Sequence, residues 1–119
     1  MPVLDRFSLN GKRLFIIGGS RGLGREMALA IAEAGADVVL VGRDSDSLAR
    51  TAADIPAIGR RAWTIQAGAG TPEGCERACR DVLALGAIDI LSNSIGGRRI
   101  NVPIEDEPLD GLQRMLALT

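Results

Sequence analysis

The sequence lacks most of the side chains that carry acid–base and metal chemistry. Its 119 residues include no histidine and no tyrosine, and Lys12 is its only lysine. The commonest general bases are therefore missing, as are the ligands of histidine-based zinc sites. The only two thiols, Cys75 and Cys79, lie four residues apart in a predicted helix. Two thiols without further ligands do not make a zinc site, and we expect both to be small, buried residues.

The chain also lacks an excess of charge of either sign and any long apolar run. It has 14 basic and 15 acidic residues and a net charge of -1, which excludes the basic footprint of a nucleic-acid-binding protein. No apolar run reaches the roughly 18 residues that span a bilayer, and residues 1–6 do not resemble a signal peptide. We therefore expect a cytoplasmic protein that binds neither nucleic acid nor membrane.

What the sequence does contain is an alternation of short apolar runs with longer segments of helical periodicity. The apolar runs predict strands at 13–17, 37–41, 61–66 and 87–91. The periodic segments predict helices at 22–34, 45–55, 72–85 and 109–118. Strands separated by helices of this length require right-handed crossovers. The pattern predicts a single α/β domain over residues 1–119, in which helices cover both faces of a parallel sheet.

A glycine-rich loop joins the first predicted strand to the first predicted helix, where phosphate-binding loops occur. Its glycines follow the pattern G-x-x-x-G-x-G through Gly18, Gly22 and Gly24, and Arg21 adds a positive charge. Glycines permit the tight turn and let phosphates approach the backbone. Arg25 and the acid after it stand where a P-loop has Lys followed by Ser or Thr, which disfavours a phosphotransferase. A glycine-rich turn without a ligand is the other interpretation.

The loop and its surroundings resemble the opening of a short-chain dehydrogenase/reductase. The segments that carry the resemblance are 7–12 and 18–24, the run from Ala34 to Arg43, and the run from Ile88 to Gly96. The resemblance covers essentially the whole chain, but only the N-terminal half of a family member. It implies a three-layer Rossmann-type fold with a doubly wound parallel sheet of about four strands in the order 3-2-1-4, truncated relative to a full member. It also implies that the chain binds a nicotinamide dinucleotide.

The resemblance places the dinucleotide along the glycine loop and at the ends of the second and fourth strands. Gly42 stands where an acid that selects NAD would bind the ribose 2′-hydroxyl, and Arg43 follows it, so we expect NADP(H) rather than NAD(H). Asp44 is a rival ribose acceptor, although a helix cap is its more expected role. The residues expected to hold the diphosphate are Gly18, Ser20, Arg21, Gly22, Leu23 and Gly24. Arg43 is expected at the 2′-phosphate, and Asn93 and Gly96 are expected near the ribose and the nicotinamide.

Several positions depart from the family's pattern. Gly68 and Ala69 replace an adenine-contacting Asp and a branched residue, and Ser94 and Ile95 replace the middle of an Asn-Asn-Ala-Gly motif. The chain also has no tyrosine, the residue that exchanges the substrate proton in this family. We therefore assign no catalytic residue and expect no catalysis by the chain as it stands. The alternative function is a non-catalytic oligomerising or scaffold module that keeps the fold without the cofactor.

The strand order 3-2-1-4 would leave the fourth strand at an open edge of the sheet. Ile88, Ile90 and Leu91 would flank backbone groups without partners, and such an edge tends to pair with another chain. We therefore expect a symmetric homodimer that forms through this edge.

Overall fold

The computed structural model of the chain describes residues 2–68, 70–95 and 103–118. Within these ranges, strands and α-helices alternate in the order β1 (Arg13–Ile17), α1 (Gly22–Glu33), β2 (Asp37–Gly42), α2 (Ser45–Asp54), β3 (Ala62–Gln66), α3 (Pro72–Ala84), β4 (Ile90–Asn93) and α4 (Leu109–Leu118). Short 3-10 helices occupy Val3–Phe7, Pro56–Ile58 and Ile104–Asp106. Ala69 and Gly96, which figure in the sequence analysis, lie outside the described residues.

The four strands form one parallel sheet in the order β3-β2-β1-β4. The predicted fold class and strand order are therefore confirmed. Phe15 of the central strand β1 lies opposite Val39 of β2 on one side and opposite Leu91 of β4 on the other. Because successive side chains of a strand point to opposite faces, β1, β2 and β3 each contribute to two separate apolar cores, whereas β4 contributes to one through Ile90.

Each face of the sheet packs against different helices. On the first face, strand residues such as Leu14 and Leu40 pack against α1 and α2. On the second face, Phe15 and Val41 are among the strand residues that pack against Ala78 and Val82 of α3. Strands that are buried on both sides need apolar residues at successive positions. This requirement explains the continuous apolar runs of β1 and β2 and gives the three-layer, doubly wound arrangement.

The predicted start of α3 is confirmed, and α2 ends one residue before its predicted end at 55. The Thr71 hydroxyl accepts a hydrogen bond from the backbone N–H of Gly74 at 3.1 Å, and Pro72 occupies the first turn of α3. Proline suits this position because the N–H that it lacks would have no partner within the helix. Helix α2 ends at Asp54, and Pro56 begins a 3-10 turn instead of continuing the helix.

The predicted position of β4 is wrong by three residues at its start. Pairing with β1 begins where Leu14 lies opposite Ile90, so β4 runs over Ile90–Asn93 and not over 87–91. Just before this point, the Asp89 carboxylate accepts a hydrogen bond from the N–H of Arg13 at 2.9 Å. The Asp89 N–H in turn donates to the Arg13 carbonyl at 3.0 Å. The first residue of β1 therefore determines where β4 can begin.

The expected burial of the two cysteines is also wrong, because Cys75 and Cys79 are both exposed. Helix α3 turns Ala78 and Val82 towards the sheet, and both are almost fully buried. Cys75, Cys79 and Leu83 recur every four residues and therefore follow the flank of the helix. Leu83 is 66% exposed, so the buried stripe of α3 is narrower than the apolar pattern predicts.

The ends of β1 and β4 come into backbone contact at Gly18. This glycine has φ +87°, and a Cβ at its position would lie 2.7 Å from the carbonyl oxygen of Ser94. Gly59, which ends the 3-10 turn after α2, has a similar φ of +89°, but a Cβ there would meet nothing within 4 Å. The two glycines share a backbone conformation and differ in the space around them.

Gly18→Ala should therefore destabilise the protein more than Gly59→Ala. Alanine in the left-handed region should cost about 1–2 kcal/mol at either position, and overlap with Ser94 should add about 1–3 kcal/mol at Gly18. Urea unfolding followed by the fluorescence of Trp63, the only tryptophan, measures both free energies of unfolding. Equal losses would show that the Ser94 contact does not constrain Gly18.

Candidate functional site

A cleft of about 350 Å³ opens at the carboxyl ends of the strands, where β1 has β2 on one side and β4 on the other. This is the point in doubly wound sheets at which ligands bind. Four of the predicted site residues line the cleft: Gly18, Ser20, Arg21 and Arg43. The other lining residues are Ile17, Gly42, Asp44, Ser47, Ala67, Gly70, Ser94 and Ile95. A shallower cleft beside it is lined by Gly22 and again by Ser20 and Arg21.

The glycine loop packs directly against the first turn of α1. Gly24 is buried there, and a Cβ at its position would overlap the carbonyl oxygen of Gly18. It would also lie 3.2 Å from the Cβ of Ser94. Gly24 therefore does not line the cleft itself but allows α1 to begin close behind the loop.

The start of α1 differs from the starts of α2 and α3. Asp44 caps α2 and Thr71 caps α3 through their side chains, whereas Arg21 at the N-cap of α1 makes no side-chain cap hydrogen bond. The first N–H groups of a helix have no intrahelical partners, and they form the positive end of the helix dipole. Beside the exposed guanidinium of Arg21, these N–H groups make the start of α1 favourable for an anion.

The end of β2 contributes a cation to the cleft and no free acid. Arg43 is exposed, and its backbone carbonyl accepts a hydrogen bond from Gln66 Nε2 at 3.0 Å. Its side-chain stem passes over Gly68, because a Cβ on Gly68 would lie 3.6 Å from Cγ and Cδ of Arg43. The Arg43 stem therefore lies close to the end of β3, at a distance at which a Cβ on Gly68 would make only ordinary van der Waals contact.

Asp44 is engaged as the N-cap of α2, as the sequence predicts. One carboxylate oxygen accepts the N–H of Asp46 at 3.0 Å, and the other accepts the Ser47 hydroxyl at 2.6 Å. The hydrogen bond from Ser47, followed by those from the backbone N–H groups, holds the pKa of the Asp44 carboxyl below its usual value. The carboxylate is therefore ionised at neutral pH, and both its oxygens already accept hydrogen bonds.

The remaining predicted residues have different positions. Leu23 is 76% exposed, so its side chain does not line the cleft, although its backbone belongs to the first turn of α1. Asn93 Oδ1 accepts the N–H of Ile95 at 3.2 Å, and Asn93 is not among the residues that line the cleft. It shapes the turn that carries the half-buried Ile95 into the cleft. Gly96 lies outside the described residues.

Sequence reasoning missed Ser47, Ala67 and Gly70 as lining residues. Ser47 had a detectable signal, because a hydroxyl three residues after an N-cap Asp can bond to it. Ala67 and Gly70 carry no side-chain chemistry and become part of the cleft only because β3 ends there.

Within the described residues, no group of three or more Asp, Glu, Cys or His side chains could hold a metal ion. In the same ranges, no helix is long and apolar enough to cross a membrane.

Comparison with known proteins gives consistent matches. The family model of short chain dehydrogenases matches residues 12–119. An uncharacterized oxidoreductase of Mycobacterium tuberculosis is 42% identical over 109 residues, which make up 91% of this chain and 41% of the relative. The structure of 3-oxoacyl (acyl-carrier-protein) reductase from Agrobacterium tumefaciens with NADP bound has a TM-score of 0.87 and 27% identity, and the match covers 99% of this chain and 45% of that one.

A 7α-hydroxysteroid dehydrogenase complexed with NADH and 7-oxo glycochenodeoxycholic acid has a TM-score of 0.88 and 28% identity, and the match covers 99% of this chain and 46% of that one. The chain thus spans less than half the length of these relatives. Because the family match extends over nearly all of its residues and agrees with the strand order and the glycine loop, this chain belongs to the short chain dehydrogenase family.

Proposed function

We propose that the cleft binds NADP(H) and that the chain is the cofactor-binding portion of a short-chain oxidoreductase. The observation that carries the proposal is the uncapped start of α1 beside the glycine loop, in a cleft that Arg21 and Arg43 both line. A dinucleotide diphosphate carries negative charge, and helix N-termini with adjacent glycines bind such groups. The same cleft presents two guanidinium groups, which suit an additional phosphate.

The residues of the loop divide between two tasks in this proposal. Gly18, Ser20 and Arg21 contact the diphosphate, together with the backbone N–H groups of Gly22, Leu23 and Gly24. Leu23 contributes through its N–H, because its side chain is exposed. We assign Asn93 and Gly96 to the ribose and nicotinamide side, where Asn93, which does not line the cleft, acts through the turn that it forms with Ile95. Ile95 lines the cleft, and in this proposal its bulky side chain would restrict the space for the ribose.

The preference for NADP(H) rests on the end of β2. Gly42 offers no carboxylate for a ribose 2′-hydroxyl, and Asp44 is occupied as a helix cap. Arg43 supplies a guanidinium, which can bind a phosphate through two parallel hydrogen bonds. The two structural relatives described above bind NADP in one case and NADH in the other. The chain's own residues therefore carry the preference.

The proposed role of the chain is binding and not proton transfer. A bound nicotinamide would exchange hydride with a carbonyl or alcohol group. The 119 residues contain no tyrosine and no histidine, the usual proton-exchanging groups at neutral pH. We therefore propose that the chain does not catalyse the reaction as it stands.

A second candidate function, a non-catalytic oligomerising module, is favoured by the edge of the sheet. Among the described residues, β4 pairs with β1 alone. Leu91 lies beside Phe15 on the α3 face and is 65% exposed. An exposed parallel edge with an apolar side chain is a site for pairing with another chain. A symmetric homodimer through β4 would cover it.

NADPH should raise the thermal unfolding temperature of the chain, and NADH should raise it less. A ligand that binds only the folded state stabilises it by about 2.7 kcal/mol at a hundredfold excess over Kd. Differential scanning calorimetry with NADPH, with NADH and without nucleotide measures the shifts. The absence of a shift with both nucleotides would contradict the proposed cofactor site and favour the oligomerising module.

Arg43→Ala should weaken the binding of NADPH by about 10- to 100-fold, since a hydrogen-bonded charge contributes about 1.5–3 kcal/mol. The affinity for NADH should change little, because NADH has no 2′-phosphate. Isothermal titration calorimetry gives both affinities. Arg80→Ala is the matched control, because Arg80 is an exposed arginine of α3 and does not line the cleft. Equal losses for both nucleotides would show that Arg43 does not read the 2′-phosphate.

The chain should sediment as a dimer that Leu91→Lys dissociates. A charge at the edge of a sheet opposes pairing with a second edge. Analytical ultracentrifugation over a range of concentrations measures the dissociation constant. Leu116→Lys, on the exposed surface of α4, is the control for the loss of an exposed leucine. A parent chain that stays monomeric at high concentration would refute the edge-mediated dimer.

A further inference from the structure

A buried hydroxyl of α2 holds the backbone of the glycine loop. Thr51 is 0% exposed, and its Oγ1 donates a hydrogen bond to the carbonyl oxygen of Ser20 at 3.0 Å. Thr51 Oγ1 also accepts a hydrogen bond from Arg25 Nη1 at 3.2 Å. Arg25 also forms an ion pair with the carboxylate of Asp54. The Thr51 hydroxyl thus serves as donor and acceptor at once, between the loop, α1 and α2.

The hydrogen bond from Thr51 to Ser20 differs from the local hydrogen bond that a threonine in a helix usually makes. A threonine within a helix commonly donates to a carbonyl three or four residues earlier in the same helix. Thr51 instead bonds to a loop residue 31 positions away. Because a buried hydroxyl without a partner costs about 1–3 kcal/mol, the loop carbonyl and the hydroxyl fix one another in the folded protein.

The Ser20 carbonyl is well placed to affect the cleft. A trans peptide is planar, and its C=O and N–H point in opposite directions. With the Ser20 carbonyl held by Thr51, the N–H of Arg21 points away from α2. Ser20 and Arg21 line both the cleft at the strand ends and the shallower cleft beside it, and Arg25 and Asp54 line the shallower one. The direction of the Ser20–Arg21 peptide, just before α1, is therefore determined by Thr51 of α2.

We infer that Thr51 is a positioning residue for nucleotide binding. Arg25, which is paired with Asp54, holds the Thr51 hydroxyl in place. Thr51 fixes the Ser20–Arg21 peptide in the orientation that the diphosphate requires, so that the loop does not have to be ordered when the nucleotide binds. Binding to a preorganised loop avoids the entropic cost of ordering it. The inference rests on the proposed function, but its structural part, the anchored loop, can be measured without any nucleotide.

The test compares three variants of Thr51 and its surroundings with the parent chain. Thr51→Val keeps the shape of the side chain and removes the hydroxyl, whereas Thr51→Ser keeps the hydroxyl and removes the methyl group. Ile55→Val, a fully buried residue at the end of α2, is the control for a loss of packing that does not touch the loop. Calorimetric titration with NADPH gives Kd. Amide hydrogen exchange without nucleotide reports how often the loop opens, read at Gly18, whose N–H donates to Val41 at 3.0 Å, and at Arg25, whose N–H donates to Arg21 at 3.4 Å.

We expect Thr51→Val to raise the Kd of NADPH about five- to tenfold, the range that the loss of one such hydrogen bond produces. It should also speed the amide exchange of Gly18 and Arg25, the hydrogen-bonded amides on either side of the Ser20–Arg21 peptide. Thr51→Ser should stay within about twofold of the parent, because its hydroxyl can still bond to Ser20. Ile55→Val should lower the unfolding temperature and leave Kd and loop exchange unchanged. An unaltered Kd in folded Thr51→Val would overturn the inference.

Two further results separate this inference from the proposed function. If the parent chain binds neither NADPH nor NADH, the proposed function fails, and loop exchange alone then decides whether Thr51 anchors the loop. If Thr51→Val does not fold, Asp54→Ala replaces it, because Asp54 is half-exposed and lies outside the core. This variant leaves Arg25 without its carboxylate and should speed loop exchange about two- to threefold. Parent-like loop exchange in Asp54→Ala would then overturn the inference.

Discussion

The contact of backbone with backbone at the end of β1 is the constraint on which the rest of the cleft depends. Gly18 lies against the Ser94 carbonyl, and Gly24 lies against the Gly18 carbonyl. Protein interiors are close-packed, so a single Cβ at either glycine would force β4 or α1 to move. These contacts fix the start of α1 beside the ends of β1 and β4. They thereby determine where an anion could meet the helix dipole.

The charges around the cleft are arranged so that its cations remain available and its acids do not. Asp44 accepts hydrogen bonds from Asp46 and Ser47, and Asp54 pairs with Arg25. Arg21 and Arg43 line the cleft. Arg21 is also the N-cap residue of α1, whose start has no side-chain cap. The sequence is close to neutral as a whole, yet this cleft presents a local excess of positive groups. Such an arrangement suits a ligand with several phosphates.

The relation between sequence and structure differs from one element to the next. The apolar runs of β1 and β2 predict buried central strands because both faces of those strands are covered. The start of β4 could not be predicted in the same way, since it depends on the register with Arg13 and on hydrogen bonds to Asp89. For α3, the periodicity predicts the helix, but the width of its buried stripe depends on how much of the helix the sheet covers. Cys75 and Cys79 lie just outside that width.

The sequence by itself determined the strand and helix alternation, the cap at Asp44, the start of α3 at Thr71 and the glycine pattern before α1. These features can be predicted because apolar periodicity, helix caps and glycine spacing each involve residues only a few positions apart. The tertiary structure alone decided that Thr51 holds Ser20, that Ala67 borders the cleft and that Leu23 faces outward. Those facts depend on how α1 and α2 pack on the sheet and on where β3 ends, since they join residues that are distant in the chain.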